Sequence, residues 1–149
     1  MTRSLKASRS PILLTERTSQ GDEFATRLAG LVKHIVVLKG GMGAKQRRAV
    51  AEHLAAIPDE EESVLLATGR YIGEGFDVAR LDPLFLALPI SWRGTWQQYV
   101  GRLHRLHDRK REVIVYDHVD DCVPLFSAMY FQRVRGHEAV GYVIREDAL

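Results

Sequence analysis

Short apolar runs without polar alternation recur along this chain, separated by segments in which apolar residues have helical spacing. The runs are rich in leucine, isoleucine and valine, and they predict strands over residues 12–15, 34–38, 64–67, 84–88 and 112–116, with an edge strand over 141–145. An apolar run of this kind is typical of a strand that is covered on both faces, as in parallel sheets. The pattern predicts a doubly wound α/β fold with a mainly parallel sheet of about six strands.

Helices are predicted where apolar residues recur three or four positions apart, over about residues 24–31, 50–57, 95–107 and 126–135. Residues 18–21 are predicted as a polar turn, and Gly136 as the glycine that ends the last helix. Strands and helices that alternate in this way build three layers, with helices on both sides of the sheet. One domain over residues 11–149 is predicted, after a flexible segment over residues 1–10.

The composition is that of an ordinary globular domain in a reducing compartment. The 149 residues are 46% hydrophobic and 27% charged, and the net charge of +2 permits an anionic partner without demanding one. Cys122 is the single cysteine and has no companions at metal-ligand spacing, so no metal site is expected. Because no apolar run approaches the roughly 18 to 20 residues of a spanning helix, we expect a cytoplasmic protein without membrane contact.

Three segments resemble phosphate or metal motifs and fail a closer comparison. After the glycine-rich loop 40–43, Lys45 lacks the preceding glycine and the following hydroxyl residue of GxxxxGK[ST]. A GxGxxG pattern begins at Gly73 and is broken at Val78. The acidic run 59–62 follows a proline and precedes a strand, which is typical of a solvated turn. The chain is therefore predicted to lack the phosphate-binding loop and magnesium carboxylate of a complete ATP site.

The segment from Thr95 to Arg105 carries the most informative pattern. Thr95 and Gln98 have the spacing of a capping box, which predicts the start of a helix. The positions three, four and seven residues after Gln98 share its helix face, and they hold Gly101, Arg102 and Arg105. A glycine inside a helix costs about 0.5 to 1 kcal/mol relative to alanine, which suggests that a partner approaches the backbone there. Two arginines suit a transferring phosphoryl group, although they are also typical of a solvated basic face.

Two runs of this chain resemble motifs of superfamily 2 helicases of the DEAD/DEAH type. The run QYVGRLHR at 98–105 resembles their motif VI, QxxGRxxR, and 66–77, with Ala-Thr at a strand end and EGFD after it, resembles motif V. The run 13–17 is similar to the weaker motif IV, and residues 117–144 are loosely similar to helicase subunits of restriction and other defence systems. The resemblance covers about residues 11–116 and implies a second, C-terminal RecA-like motor domain.

The resemblance implies two groups of functional residues. Arg102 and Arg105 are implied to reach the γ-phosphate of ATP as arginine fingers, with Gln98 ordering their network. Contact with the nucleotide is likewise implied for Gly75, Asp77 and Gly101. Contact with a nucleic-acid backbone is implied for five residues near strand ends, namely Thr15, Arg17, Thr68, Gly69 and Arg70. An aspartate in a loop and a hydroxyl at a strand end are also typical of turn caps, so that alternative stays open.

The resemblance also implies the ligands and partners. The implied cofactor is ATP with Mg²⁺, bound jointly with a first RecA-like domain. The implied partners are nucleic acid, with DNA favoured over RNA, and restriction or defence subunits. The chain alone is expected not to hydrolyse ATP, because it has no motif that grips the phosphates. Two other functions stay open, a non-catalytic nucleic-acid-binding module with a helicase-like fold and a small α/β enzyme that binds a phosphorylated ligand at residues 40–43.

Overall fold

A computed structural model of the chain describes residues 9–68, 78–87, 99, 101, 103–104, 112–119 and 122–145. Five strands are formed within these residues: β1 Ser10–Thr15, β2 His34–Leu38, β3 Ser63–Thr68, β4 Leu81–Ala87 and β5 Val115–Asp117. The same part of the chain contains three complete helices: α1 Thr18–Leu28, α2 Ala44–Ala56 and α3 Pro124–Ala139. Tyr99, Gly101 and Leu103 are also helical, as predicted for the segment around them. No helix in the described part of the chain is long and apolar enough to cross a membrane.

The five strands form one parallel sheet in the order β2, β3, β1, β4, β5. β1 lies at the centre, with β3 on one side and β4 on the other. The prediction of an α/β fold with a parallel sheet is confirmed, and the described strands number five where about six were expected. Because parallel strands need crossover connections, the helices between them lie on the two faces of the sheet.

Successive residues of each strand point to opposite faces and fill two separate cores. On one face, Leu14 and Leu65 pack with Leu54 of α2 and with the helical residues Tyr99 and Leu103. On the other face, a smaller cluster is formed by apolar strand residues together with three residues of α1, Phe24, Ala25 and Leu28. Burial on both faces explains why the strands show continuous apolar runs.

The first helix begins earlier than the sequence pattern predicts. Residues 18–21, predicted as a polar turn, form the first turn of α1. The Gln20 side chain accepts a hydrogen bond from the backbone N–H of Arg17 at 3.3 Å, which satisfies a donor that the helix leaves unpaired at its start. The helix ends at Leu28, and Leu31, which has the spacing of a helical core residue, is 64% exposed.

The C-terminal part of the chain departs most from prediction. Gly136 was predicted to end the last helix, but α3 continues through it to Ala139. The left-handed backbone that favours glycine occurs at Gly141, where φ is +87°, and the turn after the helix forms there. Residues 141–145, predicted as an edge strand, form a turn and an irregular segment. That prediction is wrong because Tyr142 packs against the core instead of entering a sheet.

A buried polar network joins the amino ends of the central strands. Arg80 donates hydrogen bonds to the hydroxyl of Ser10 at 2.9 Å, to the hydroxyl of Ser63 at 2.8 Å and to the carbonyl of Ile57 at 2.5 Å. Ser10 and Ser63 are both buried, so these bonds satisfy groups that would otherwise be costly inside the fold. β1 begins at Ser10, somewhat before the predicted strand.

Candidate functional site

The carboxyl ends of the parallel strands meet at one edge of the sheet, which is where ligands of open α/β folds bind. Thr15 is the last residue of β1, and Thr68 is the last residue of β3. These two threonines are register partners in the parallel pairing of β1 with β3, so they lie side by side. Two of the residues predicted to contact a nucleic-acid backbone are therefore brought together by the fold.

The hydroxyl of Thr68 has no hydrogen-bond partner among the described residues. Its side-chain oxygen is buried and forms no hydrogen bond within the described part of the chain, while the residue as a whole is 8% exposed. A buried polar group left unpaired costs about 1 to 3 kcal/mol. A ligand atom that accepted a hydrogen bond from this hydroxyl would remove the cost. Thr68 therefore has the property expected of a ligand-binding group.

The hydroxyl of Thr15 has an internal partner. It donates a hydrogen bond to the backbone carbonyl of Arg17 at 3.2 Å, and Thr15 is almost completely buried. This is the turn-cap arrangement that the sequence left open for strand-end hydroxyls. The two adjacent threonines thus differ, since the Thr15 hydroxyl holds the β1–α1 turn and the Thr68 hydroxyl bonds to none of the described residues.

Arg17 is exposed at the start of α1, next to this pair of threonines. Two hydrogen bonds hold the turn that carries Arg17. The Thr15 hydroxyl donates to the backbone carbonyl of Arg17, and the backbone N–H of Arg17 donates to the Gln20 side chain. Lys39, directly after β2, forms an ion pair of 2.6 Å with Asp22 of α1. The positive charge of Lys39 is therefore partly neutralised, whereas Arg17 presents its guanidinium to solvent.

The packed side of the helical segment around residue 101 agrees with prediction. Tyr99 and Leu103 are buried in the main core, at 2% and 4% exposure. Gly101 lies between them in sequence and is exposed, and a Cβ added to it would meet nothing within 4 Å. Packing among the described residues therefore does not require a glycine here.

Seven of the predicted site residues lie outside the residues that the structure describes: Gly69, Arg70, Gly75, Asp77, Gln98, Arg102 and Arg105. Their assignments stay predictions that rest on the motif resemblance. Among the described residues, no group of three or more His, Cys, Asp or Glu side chains is placed to hold a metal ion.

The glycine-rich loop 40–43 follows β2 at the same edge of the sheet and leads into α2. Gly41 has a φ of +84°, and the N–H of Gly43 donates to the side chain of Gln46 at 3.1 Å. That donor is therefore engaged within the chain. A phosphate in this loop would have to displace the Gln46 side chain from it.

Sequence reasoning missed a buried polar cluster at the carboxyl end of β5. Arg133 of α3 binds Asp117 through two hydrogen bonds, Nε to Oδ2 at 2.7 Å and Nη2 to Oδ1 at 2.9 Å, and His137 Nε2 lies 3.7 Å from Oδ2. Burial raises the pKa of the Asp117 carboxyl, but hydrogen bonds from His137 and Arg133 outweigh it and hold the pKa below its usual 3.8. The available signal was an aspartate after an apolar strand and two basic residues four positions apart on a helix.

Tyr142 extends this cluster toward the helical segment. Its ring meets His104 edge-on at a centroid distance of 5.5 Å and His137 at 5.9 Å. Burial, together with the negative charge of Asp82, raises the pKa of Tyr142 to about 12. The phenol therefore stays neutral at physiological pH, and its ring links α3 to the residue that follows Leu103.

Comparison with known proteins supports the fold. No protein family matches the chain, and no curated protein does. Among solved structures, the C-terminal part of the Fun30 ATPase domain is similar, with a TM-score of 0.72 and 12% identity over 87% of this chain and 40% of that chain. UvsW of T4 is also similar, with a TM-score of 0.72 and 13% identity over 93% of this chain and 30% of that chain. The chain thus has a RecA-like α/β fold and spans less than half of either protein chain.

Proposed function

We propose that this chain is the second RecA-like motor domain of an ATP-dependent helicase or translocase that acts on nucleic acid. The observation that carries the proposal is the buried hydroxyl of Thr68, which lies at the ligand-binding edge of this fold and bonds to none of the described residues. The likeness to the C-terminal part of an ATPase domain supports it, as do the two motif-like runs. In this function the domain closes on a first motor domain around ATP and moves relative to it along a strand.

On the nucleic-acid side, Thr68 donates its hydroxyl to a backbone phosphate, a contact that does not depend on base sequence. Gly69 and Arg70 follow it in the chain and line the same path. Arg17 adds a cation at the neighbouring strand end, and Thr15 contributes by fixing the turn that carries Arg17. A motor that steps along a strand needs contacts of this sequence-independent kind.

On the nucleotide side, Arg102 and Arg105 stabilise the charge on the transferring phosphoryl group, and Gln98 orders them. Gly75, Asp77 and Gly101 line the nucleotide, and no described residue would meet a Cβ added to Gly101. ATP with Mg²⁺ is held mainly by the first motor domain, because this chain has no GxxxxGK[ST] loop. The bound nucleotide supplies the phosphoryl group, and this chain supplies positive charge and the closing surface.

The nucleic-acid role is tested by binding of the chain to a fluorescent single-stranded DNA over a range of salt concentrations. Affinity should fall with salt, since phosphate contacts release counterions. Thr68→Val should weaken binding about ten-fold or more, since a hydrogen bond to a charged group contributes roughly 1.5 to 3 kcal/mol. Thr26→Val on the exposed side of α1 serves as the matched control. Wild-type affinity in Thr68→Val would contradict the proposed contact between the Thr68 hydroxyl and a backbone phosphate.

The ATPase role is tested in a protein that joins this chain to a first motor domain. Arg102→Ala and Arg105→Ala should each lower kcat by about 10³ to 10⁵, the range for arginine fingers. Arg27→Ala, on the exposed surface of α1, is the matched control. The chain alone should show no turnover. The division of labour between the two domains would be contradicted if the isolated chain hydrolysed ATP and Arg105→Ala abolished that activity.

Two finer proposals follow from the resemblance. We infer DNA rather than RNA as the track, so the chain should bind single-stranded DNA more tightly than RNA of the same sequence at equal salt. We also infer a restriction or defence setting, in which cells that lose the gene become more sensitive to phage. Equal affinity for both nucleic acids contradicts the first proposal, and unchanged phage sensitivity contradicts the second.

A further inference from the structure

The hydroxyl on which the proposed function depends is closed off from solvent. The side-chain oxygen of Thr68 is buried, and the residue as a whole is 8% exposed. A phosphate therefore cannot bond to this oxygen until a neighbouring group moves away. The neighbours of Thr68 on the sheet and on α1 identify that group.

Lys39 is the neighbour of Thr68 on the sheet. The last residue of β2, Leu38, is the register partner of Ala67 in β3. The residues that follow them, Lys39 and Thr68, are therefore side by side on parallel strands that lie about 4.8 Å apart. An ammonium group is thus carried next to the buried hydroxyl.

Both side chains lie on the face of the sheet that α1 covers. Two positions earlier in each strand, Val37 and Leu66 belong to the core cluster that packs against α1. Because successive side chains of a strand point to opposite faces, Lys39 and Thr68 point to the same face as these two residues. The ion pair of Lys39 with a residue of α1 agrees with this placement.

Two consecutive residues of α1 lie over this edge of the sheet. A Cβ added to Gly21 would be 3.7 Å from the hydroxyl oxygen of Thr15, at the end of β1. The next residue, Asp22, binds the ammonium of Lys39 at 2.6 Å. Since β3 lies between β1 and β2, the pair of Asp22 and Lys39 spans the end of β3, where Thr68 is located.

The pair of Asp22 and Lys39 can exchange one anion for another. The two side chains are 55% and 42% exposed, and an ion pair this exposed is weak because both charges stay hydrated. A phosphate that replaced the carboxylate of Asp22 would keep Lys39 paired. It would also accept a hydrogen bond from Thr68, which bonds to none of the described residues.

We propose that Asp22 holds the place of a nucleic-acid phosphate in the free protein, and that Lys39 is a further nucleic-acid-binding residue beside Thr68. When nucleic acid binds, a backbone phosphate replaces the Asp22 carboxylate as the partner of Lys39. Movement of the pair exposes the Thr68 hydroxyl, which donates to the same phosphate. This inference rests on the proposed function, because it describes how the same phosphate site becomes accessible.

The exchange is tested first by binding of the chain to a fluorescent single-stranded DNA at fixed salt. Asp22→Asn should raise the affinity about two- to five-fold, because an exposed ion pair no longer has to be broken. Glu23→Gln is the matched control, since it removes the same charge from the next residue, which forms an exposed ion pair with Arg27. An equal gain in the two variants would reduce the effect to net charge and overturn the inference.

The role of Lys39 is tested by the salt dependence of binding. Lys39→Met should weaken binding and lower the slope of log affinity against log salt by about 0.7, the value for one phosphate contact on a single strand. Arg27→Met removes a cation that is paired in the same way on the exposed side of α1, and it should leave the slope unchanged. An unchanged slope in Lys39→Met would overturn its assignment.

The double variant separates exchange from simple repulsion. Asp22→Asn should give little gain in the Lys39→Met background, because the carboxylate then has no ammonium to compete for. The same gain in both backgrounds would overturn the exchange. If Thr68→Val weakens binding and Asp22→Asn does not strengthen it, the inference fails alone. If the wild-type chain does not bind single-stranded DNA, the proposed function fails as well.

The methyl resonance of Thr68 shows whether the ligand reaches the site. Titration with single-stranded DNA should shift this resonance, and in Asp22→Asn the shift should be complete at a lower DNA concentration. Inorganic phosphate is the second probe, at the same concentration of phosphate groups. A shift with inorganic phosphate and none with DNA would assign the site to a small phosphorylated ligand and overturn the inference.

Discussion

The two ends of the sheet are held together by different forces. The apolar half, formed by β1, β2 and β3 with α1 and α2, is packed through fully buried residues such as Leu14, Leu54 and Leu65. The polar end, formed by β5, α3 and Tyr142, is held by the buried pair of Asp117 and Arg133 with rings packed beside it. Apolar burial is spread over many contacts, whereas the polar end depends on a few directed ones.

This difference has consequences for how each end responds to change. Loss of an apolar side chain leaves a cavity whose cost does not depend on pH. Loss of one member of a buried ion pair leaves a charge without a partner, and protonation can produce part of the same loss. The polar end should therefore be the more sensitive of the two to single substitutions and to acid.

The largest effect is expected from Asp117→Ala at the polar end. The change leaves the guanidinium of Arg133 buried without its carboxylate, and breaking a buried pair in this way costs about 3 to 5 kcal/mol. The free energy of unfolding is measured by urea denaturation, with Glu23→Ala at the exposed pair with Arg27 as the control. A loss no larger than that of the control would show that the polar end is held by other contacts.

A comparable or somewhat smaller effect is expected from Leu54→Ala in the apolar half. Leu54 is fully buried against the sheet, and truncating a buried leucine costs about 2 to 5 kcal/mol through lost burial and the remaining cavity. Its cost should be the same at neutral and at acidic pH. The exposed Arg48→Ala on the same helix is the control, and a strong pH dependence of the Leu54→Ala loss would break the comparison.

Acid should weaken the polar end before the apolar half. The pKa of Asp117 in the folded chain lies below its usual 3.8, so its contribution to stability is complete at neutral pH. That contribution is lost as the pH falls below 3.8 toward the folded value. Urea denaturation at successive pH values should show a smaller decline for Asp117→Ala than for wild type. Parallel declines in the two proteins would assign the acid sensitivity to other groups.

The smallest effects are expected from the two threonines at the carboxyl edge. Thr15→Val removes a formed hydrogen bond and should cost about 1 kcal/mol. Thr68→Val removes a buried hydroxyl that has no partner among the described residues, so the free energy of unfolding should stay equal or rise slightly. Calorimetry of both variants measures the contrast. A clear loss of stability in Thr68→Val would mean that its hydroxyl is satisfied within the fold.

Much of the apolar half could be predicted from the sequence. The apolar runs located each of its strands to within a residue or two, because a strand buried on both faces must be apolar throughout. The burial of Tyr99 and Leu103 also followed from helical spacing alone. In the candidate site, Thr15 and Thr68 could be placed at strand ends, although nothing in the sequence distinguished a paired hydroxyl from an unpaired one.

The polar end was decided only by the tertiary structure. The sequence indicated neither the burial of Arg133 and His137 nor the continuation of α3 past Gly136, and residues 141–145 were wrongly predicted as a strand. The physical reason is that apolar burial is non-directional and leaves a local periodic pattern in the sequence. An ion pair or a ring contact depends on where a distant partner lies, and its position exists only once the chain has folded.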